Sequence, residues 1–291
     1  MANFIAEDFK RIFKGNNYLA ILILVNACVF VLVNIILAVS SDEVGLLVLT
    51  NIGLPAGLLN SLTHFWTFFT YMFVHEGFRH ILFNMLLLYW FGRILADIYG
   101  QKRVLQTYLY GGIAGGIIFV LASIIPNIPI GSFLIGASAG VLAVVVATGT
   151  LLPNYQLNLL LIGPVKLKYL ALVCFILSTV LDINQNFGGK AAHMGGALYG
   201  LIYGMQLSKG VEITDGLNRF FAKIISLFNR KPKMRVVHNK NKKSTTAGKY
   251  QDLTSTEKQH KTDEILDKIS KSGYDSLTKE EKDFLFKVSN R

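Results

Sequence analysis

The chain has 291 residues, of which 52% are hydrophobic and 16% charged, with mean hydropathy +0.44 and a formal net charge of +11. A soluble chain carries about a quarter charged residues, so a soluble globular enzyme is excluded over most of this length. Residues 207–291 hold 19 of the 29 Lys+Arg and 11 of the 18 Asp+Glu, which leaves the preceding part nearly uncharged. The pattern predicts an all-α polytopic membrane domain followed by a polar, basic tail.

The first apolar run is too long for a removed signal peptide and lacks a small-residue cleavage site, so it reads as a signal anchor. Crossing a bilayer takes about 20 apolar residues. On that measure, spans are predicted at 18–39, 79–98, 104–125, 133–152, 166–182 and 189–207. The fifth is the shortest, and Lys166 and Lys168 at its edge can snorkel. Residues 54–78 are apolar and aromatic but are interrupted by Pro55, His64, His75 and Glu76. They read as a membrane-embedded loop or interfacial helix. Cys28 and Cys174 both fall in apolar stretches, so they are expected as buried thiols, with no disulfide or zinc framework.

Orientation follows the Lys/Arg bias. Lys10, Arg11 and Lys14 precede span 1, Arg93, Lys102 and Arg103 surround the turn between spans 2 and 3, and Lys166 and Lys168 lie between spans 4 and 5. The opposite loops carry only Arg79 and Lys190. Six spans with both termini cytoplasmic satisfy every loop. Spans 2, 4 and 6 then all enter from the outer face. At about 1.5 Å per residue, His80, Asn84, Ser138 and His193 share a depth within roughly 10 Å of it.

A polar residue inside a span is expensive and marks a candidate site. A lone serine usually bonds back to its own helix, but histidine needs a partner or a cavity. Ser138 and His193 at one depth fit a nucleophile and general base. Gly196, Gly200 and Gly204 form a small-residue face on span 6. Gly136 and Gly140 are expected to do the same on span 4, bringing the two spans together. His80 and Asn84 are four apart on one face of span 2. With the Ser138 backbone N–H, they are candidate donors to a developing oxyanion. Gly136-Ala137-Ser138-Ala139-Gly140 also matches the nucleophile elbow of soluble α/β hydrolases. That motif needs a preceding strand and a soluble sheet, and both flanks here are apolar helix. A zinc reading of His75-Glu76-Gly77-Phe78-Arg79-His80 fails because the spacing is one residue too long for His-Glu-x-x-His.

Together, His80-Ile81-Leu82-Phe83-Asn84, Gly136-Ala137-Ser138 and Ala192-His193-Met194-Gly195-Gly196 with Gly200 resemble the rhomboid family of intramembrane serine proteases, in its bacterial six-span form. Trp66 and Phe91-Gly92-Arg93 add to the match, which covers roughly 15–207. The resemblance implies a six-helix rhomboid-like bundle that cleaves single-span membrane proteins near their outer-face boundary without a cofactor. It implies Ser138 as nucleophile, His193 as base, and His80, Asn84 and the Ser138 amide as the oxyanion site. Four positions depart from the commonest family pattern: Ala139 for a glycine, Thr67 for an arginine, Leu142 for a tyrosine and Ala96 for an acidic residue. They bear on gating and loop rigidity rather than on the dyad. A catalytically silent relative that binds transmembrane helices is the alternative, although such relatives usually lose the serine or histidine. A transporter would need charges lining a path through the spans, and almost none are present.

The predicted organisation is a cytoplasmic segment 1–17, the six-span domain 18–207, an amphipathic helix and basic linker 208–261, and a helical hairpin 262–291. Leu217, Phe220, Phe221, Ile224, Ile225 and Phe228 make one stripe suited to the cytoplasmic leaflet. The basic charge fits anionic lipid, so no nucleic-acid partner is expected. Thr278 and Glu281 are spaced as a capping box. The lack of a transit peptide favours a bacterial plasma membrane. Nothing in the sequence speaks to oligomeric state.

Overall fold

The computed structural model describes residues 17–159, 162–180, 186–216, 218–219, 223 and 254–289. The predicted amphipathic stripe and the basic linker that follows it lie almost entirely outside the described residues. The chain divides into two compact units, 1–229 and 230–291.

The first unit opens with α1 (Tyr18–Val39), whose start is capped by the Asn17 side chain accepting the Ala20 N–H. Next comes α2 (Asp42–Ile52), which the span count left unassigned. Asp42 and Glu43 occupy its first turn, where carboxylates suit the helix dipole. Residues 54–78 break into short pieces: β1 (Leu54–Pro55), α3 (Leu58–Thr63), α4 (Thr67–Thr70) and a 3-10 turn, Tyr71–Phe73. The turn leads to α5 (Phe78–Tyr99) and α6 (Gln101–Ser123), joined through Gly100. Strand β2 (Phe133–Leu134) pairs antiparallel with β1. Helix α7 (Ser138–Leu151) follows, then the hairpin β3 (Gln156–Leu159) and β4 (Gly163–Lys166), then α8 (Leu167–Thr179) and α9 (Phe187–Ser208).

Helices α1, α5 and α6 are each long and apolar enough to cross a membrane, while α7 and α8 are shorter apolar helices. The fourth interval was predicted to be helical from 133, but its first residues pair as β2 and turn at Gly136. At 14 residues, α7 is only about 21 Å long, against about 30 Å of hydrocarbon. Apolar composition alone does not distinguish this buried extended stretch from helix.

Helix α7 is apolar nearly all round, and all of it but Ser138, Val146 and Thr150 is buried, as such a helix requires. Helices α5, α6, α8 and α9 enclose it. The α9 glycines lie against α7 in order: Gly196 on the Ala139 backbone, Gly200 on the Ala143 backbone, and Gly204 on the Thr150 side chain and the Ala147 carbonyl. The two helices therefore run parallel. The expected pairing of Gly136 and Gly140 with this face is corrected. Gly136 precedes the helix, and Gly140 faces Tyr108 of α6. The α7 face that meets α9 is Ala139, Ala143 and Ala147. A Cβ at Gly200 would sit 2.4 Å from the Ala143 carbonyl oxygen, and backbone cannot yield as a flexible side chain can. Gly200→Val should therefore destabilise the unit by about 1–3 kcal/mol or more. A lower thermal midpoint in detergent would show this, with the exposed Leu198→Val as the unchanged control.

The second unit comprises α10 (Ser255–Ser272), a 3-10 turn after Gly273, and α11 (Lys279–Ser289). Its start was predicted at 262, but α10 begins seven residues earlier. Thr254 and Glu257 form a capping box there. Ile265, Leu277 and Phe284 make a small core. The Glu281 carboxylate accepts from the Thr278 N–H at 2.7 Å and from Lys268 Nζ at 2.9 Å. The Thr278 amide first, then Lys268, hold Glu281 below the usual carboxylate range. Because the folded value is the lower one, the contribution is full above the ordinary value and is lost as pH falls through the depressed one. The Thr278 amide resonance should therefore move only at pH below the ordinary carboxylate range, and Glu281→Gln should abolish that response.

Candidate active site

The site is built outward from a buried polar brace. Tyr71 Oη donates to the Gly112 carbonyl at 2.6 Å, and Tyr108 Oη donates to the Met72 carbonyl at 2.8 Å. Asn26 Nδ2 donates to Tyr108 Oη at 3.3 Å, so α1 and α6 together fix residues 71–72. The Tyr71 carbonyl then accepts the Gly136 N–H at 2.9 Å. This chain of bonds places the turn that precedes α7.

Gly136 has φ +126°, a left-handed conformation that favours glycine. A methyl there would lie 2.9 Å from His80 Cε1, 3.0 Å from His80 Nε2 and 3.6 Å from Ser138 Oγ. The His80 ring and the Ser138 hydroxyl thus border one small space that only glycine leaves open. His75 packs edge-on against His80, with ring centroids 5.1 Å apart, and supports that ring.

Ser138 is the first residue of α7 rather than a position inside it. The first intrahelical bond of the turn is Val141 N–H to the Ala137 carbonyl, at 2.9 Å. The N–H groups of the opening turn have no acceptor within the helix and stand at the positive end of its dipole. An anion forming beside Ser138 meets both.

His193 Nε2 lies 2.6 Å from Ser138 Oγ, and His193 Nδ1 lies 2.9 Å from the Ser178 carbonyl oxygen. A carbonyl only accepts, so Nδ1 carries the proton. Nε2 then presents its lone pair to the serine hydroxyl. Ser178 belongs to the last turn of α8. Lys190 Nζ donates to the same carbonyl at 2.7 Å. Ser138, His193 and His80 are half-buried, and Asn84 is buried. Asn84 Nδ2 donates to the His80 carbonyl at 2.9 Å, so one of its donors is committed to its own helix. Among the described residues, no hydrogen bond joins Asn84 to Ser138.

Other singled-out residues stand apart from this centre. Trp66 Nε1 donates to the Asn51 carbonyl at 2.9 Å, and Thr67 Oγ1 bonds the His64 carbonyl. Arg93 donates to Tyr89 Oη at 3.1 Å and lies 3.8 Å from Asp97. Leu142 and Ala96 are buried. An apolar groove of about 640 Å³ beside α7, α8 and α9, lined by residues such as Phe175, Leu198 and Leu201, does not include Ser138 or His193. Sequence reasoning missed the Ser178 carbonyl, the His75 support and Lys190. A backbone carbonyl has no sequence signature. Lys190, an isolated charge three residues before His193, offered one.

Residues 62–210 match the family model described as the Rhomboid domain, and residues 251–291 match a family of unknown function, DUF6576. Rhomboid protein 1, mitochondrial, of Saccharomyces cerevisiae is 29% identical over 142 residues, covering 48% of this chain and 41% of that protein. RHOMBOID-like protein 12, mitochondrial, of Arabidopsis thaliana is 31% identical over 159 residues, covering 50% and 47%. Presenilin-associated rhomboid-like protein A, mitochondrial, of Danio rerio is 28% identical over 137 residues, covering 45% and 34%. The match thus spans a third to a half of each relative's length. The Rhomboid model takes in just over half of the chain, including every residue of the Ser138 centre, and the protein belongs to the rhomboid family.

Proposed function

We propose that this chain is an intramembrane serine endopeptidase, hydrolysing a peptide bond in or near the transmembrane segment of single-span membrane proteins. The observation that carries this reading is the 2.6 Å contact between Ser138 Oγ and His193 Nε2, with Nδ1 tied to Ser178. As the serine oxygen attacks the scissile carbonyl, its proton passes to Nε2. The new oxyanion lies in the space above Gly136, facing the opening N–H groups of α7 and the His80 ring. The second Asn84 N–H is the remaining donor. His193 then returns the proton to the leaving amine, and water releases the acyl-enzyme with the same base. The dyad itself calls for no cofactor.

The membrane frame proposed is six crossings with both termini on the Lys/Arg-rich side. Helix α7 falls about 10 Å short of the hydrocarbon thickness. If its C-terminal end lies at the cytoplasmic face, Ser138 is recessed beneath the outer one. A bacterial plasma membrane is the location proposed from the sequence, whereas the named relatives are mitochondrial. Fractionation of the native cells separates the two.

The defining test is cleavage of a single-span reporter in detergent or bilayers. Ser138→Ala and His193→Ala should each lower turnover by at least about 10³-fold, the scale seen when a nucleophile or base is removed. Cleavage that survives both overturns the dyad. If the unaltered chain cleaves no reporter but still binds transmembrane helices, the catalytically silent alternative holds. Gly136→Ala should fill the oxyanion space and lower kcat by about 10²–10³-fold, the effect of losing an oxyanion donor. Labelling of Ser138 by a fluorophosphonate should fall with it.

A further inference from the structure

The mechanism above makes no use of Lys190, yet the residue is only 9% exposed and its ammonium shares an acceptor with His193 of the dyad. It occupies the first turn of α9, where the positive end of the helix dipole disfavours a cation. Burial of an ammonium adds a desolvation penalty. Local rules are thus broken twice at one residue, a pattern found where a site imposes its own needs. The position is, however, suited to α8. Ser178 lies in the last turn of that helix, where carbonyls lack intrahelical donors and the dipole is negative.

A carbonyl oxygen has two lone pairs. At Ser178 both have partners: Lys190 Nζ at 2.7 Å and His193 Nδ1 at 2.9 Å. The two donors are three residues apart, hence on one face of α9, and they converge on one acceptor from a different helix. We infer that Lys190 is a positioning residue for the general base: it pins the Ser178 carbonyl so that His193 keeps its proton on Nδ1 and its Nε2 lone pair on Ser138. The inference rests on the dyad reading. Lys190 does not itself reach the serine. Its charge does not favour the imidazolium formed during acylation, so its contribution is geometric. Without the ammonium, the Ser178 carbonyl keeps His193 Nδ1 as its one partner among the described residues. The imidazole then gains freedom to rotate and to present the wrong nitrogen.

The test uses the full chain in detergent. Lys190→Met keeps the aliphatic stem and removes the donor, and Lys190→Arg restores a cationic donor. With rates normalised to active enzyme by fluorophosphonate titration, Lys190→Met should lower kcat about 10- to 100-fold, the scale of a misplaced catalytic group. KM should be unchanged, and Lys190→Arg should recover most of kcat. Unchanged kcat, or a change confined to KM, overturns the inference. Nitrogen-15 spectra of histidine-labelled protein provide an arm independent of turnover, with the His193 signal identified by its loss in His193→Ala. The unaltered chain should show a single neutral tautomer protonated at Nδ1, and Lys190→Met a mixture. The same single tautomer in both overturns the inference, even in a chain that cleaves nothing. Failure of the dyad reading shows separately, as equal turnover in the unaltered and Ser138→Ala chains.

Discussion

Everything at the centre depends on how closely α7 and α9 approach. Three glycines four residues apart on α9 set its backbone against Ala139, Ala143 and Ala147 of α7. In a membrane the gain from such contact is van der Waals packing, because lipid tails are as apolar as the helices they touch. Larger side chains on either face would hold the helices apart and lengthen the reach from His193 to Ser138. The 2.6 Å contact is therefore a property of the interface before it is a property of the two residues. Gly111 and Gly115 of α6 meet Ala143 and Ala139 in the same way, so α7 is gripped from two sides and its register is set.

The second constraint is where α7 begins. Gly136 turns the chain through a left-handed conformation, and the Tyr71 carbonyl holds its N–H. The helix opens at Ser138 itself. A serine several residues inside a helix would have neighbouring N–H groups already spent on carbonyls four residues back. At the first position those groups remain free. The segment 54–78 has its place here: its 3-10 turn carries the carbonyl that locates Gly136 and, through His75, supports the His80 ring.

Much of this centre was legible because polar groups in apolar segments are expensive. Ser138, His193, His80 and Asn84 stand out for that reason, and the period of α5 puts the last two on one face. The glycine face of α9 was legible from its four-residue repeat. The start of α7 was not: Phe133, Leu134 and Ile135 are as apolar as the helix they precede, and composition does not separate a buried strand from a buried helix. The pairing of Gly140 with α6 was illegible for a related reason, since a helix buried all round presents no distinct face in its sequence. The hairpin of β3 and β4 and the short α2 were missed because a search for spans of about 20 residues overlooks short elements.

Helix α8 shows how a weak sequence signal can carry a decisive position. At 13 residues it is the shortest of the helices around α7. Its N-terminal end meets the end of α7, where Gly149 lies against Leu167 and Ala171. Its last turn returns to the level of Ser138 and supplies the Ser178 carbonyl. Were α8 a turn shorter, that carbonyl would withdraw by about 5 Å and Nδ1 would lose its acceptor. Serine-histidine pairs in soluble enzymes commonly use a carboxylate to orient the imidazole; here a backbone carbonyl accepts from Nδ1 instead. A helix C-terminus presents partial negative charge on carbonyls that must find donors in any case. In this chain that need and the imidazole's need for an acceptor are met by one oxygen, with Lys190 as the second donor.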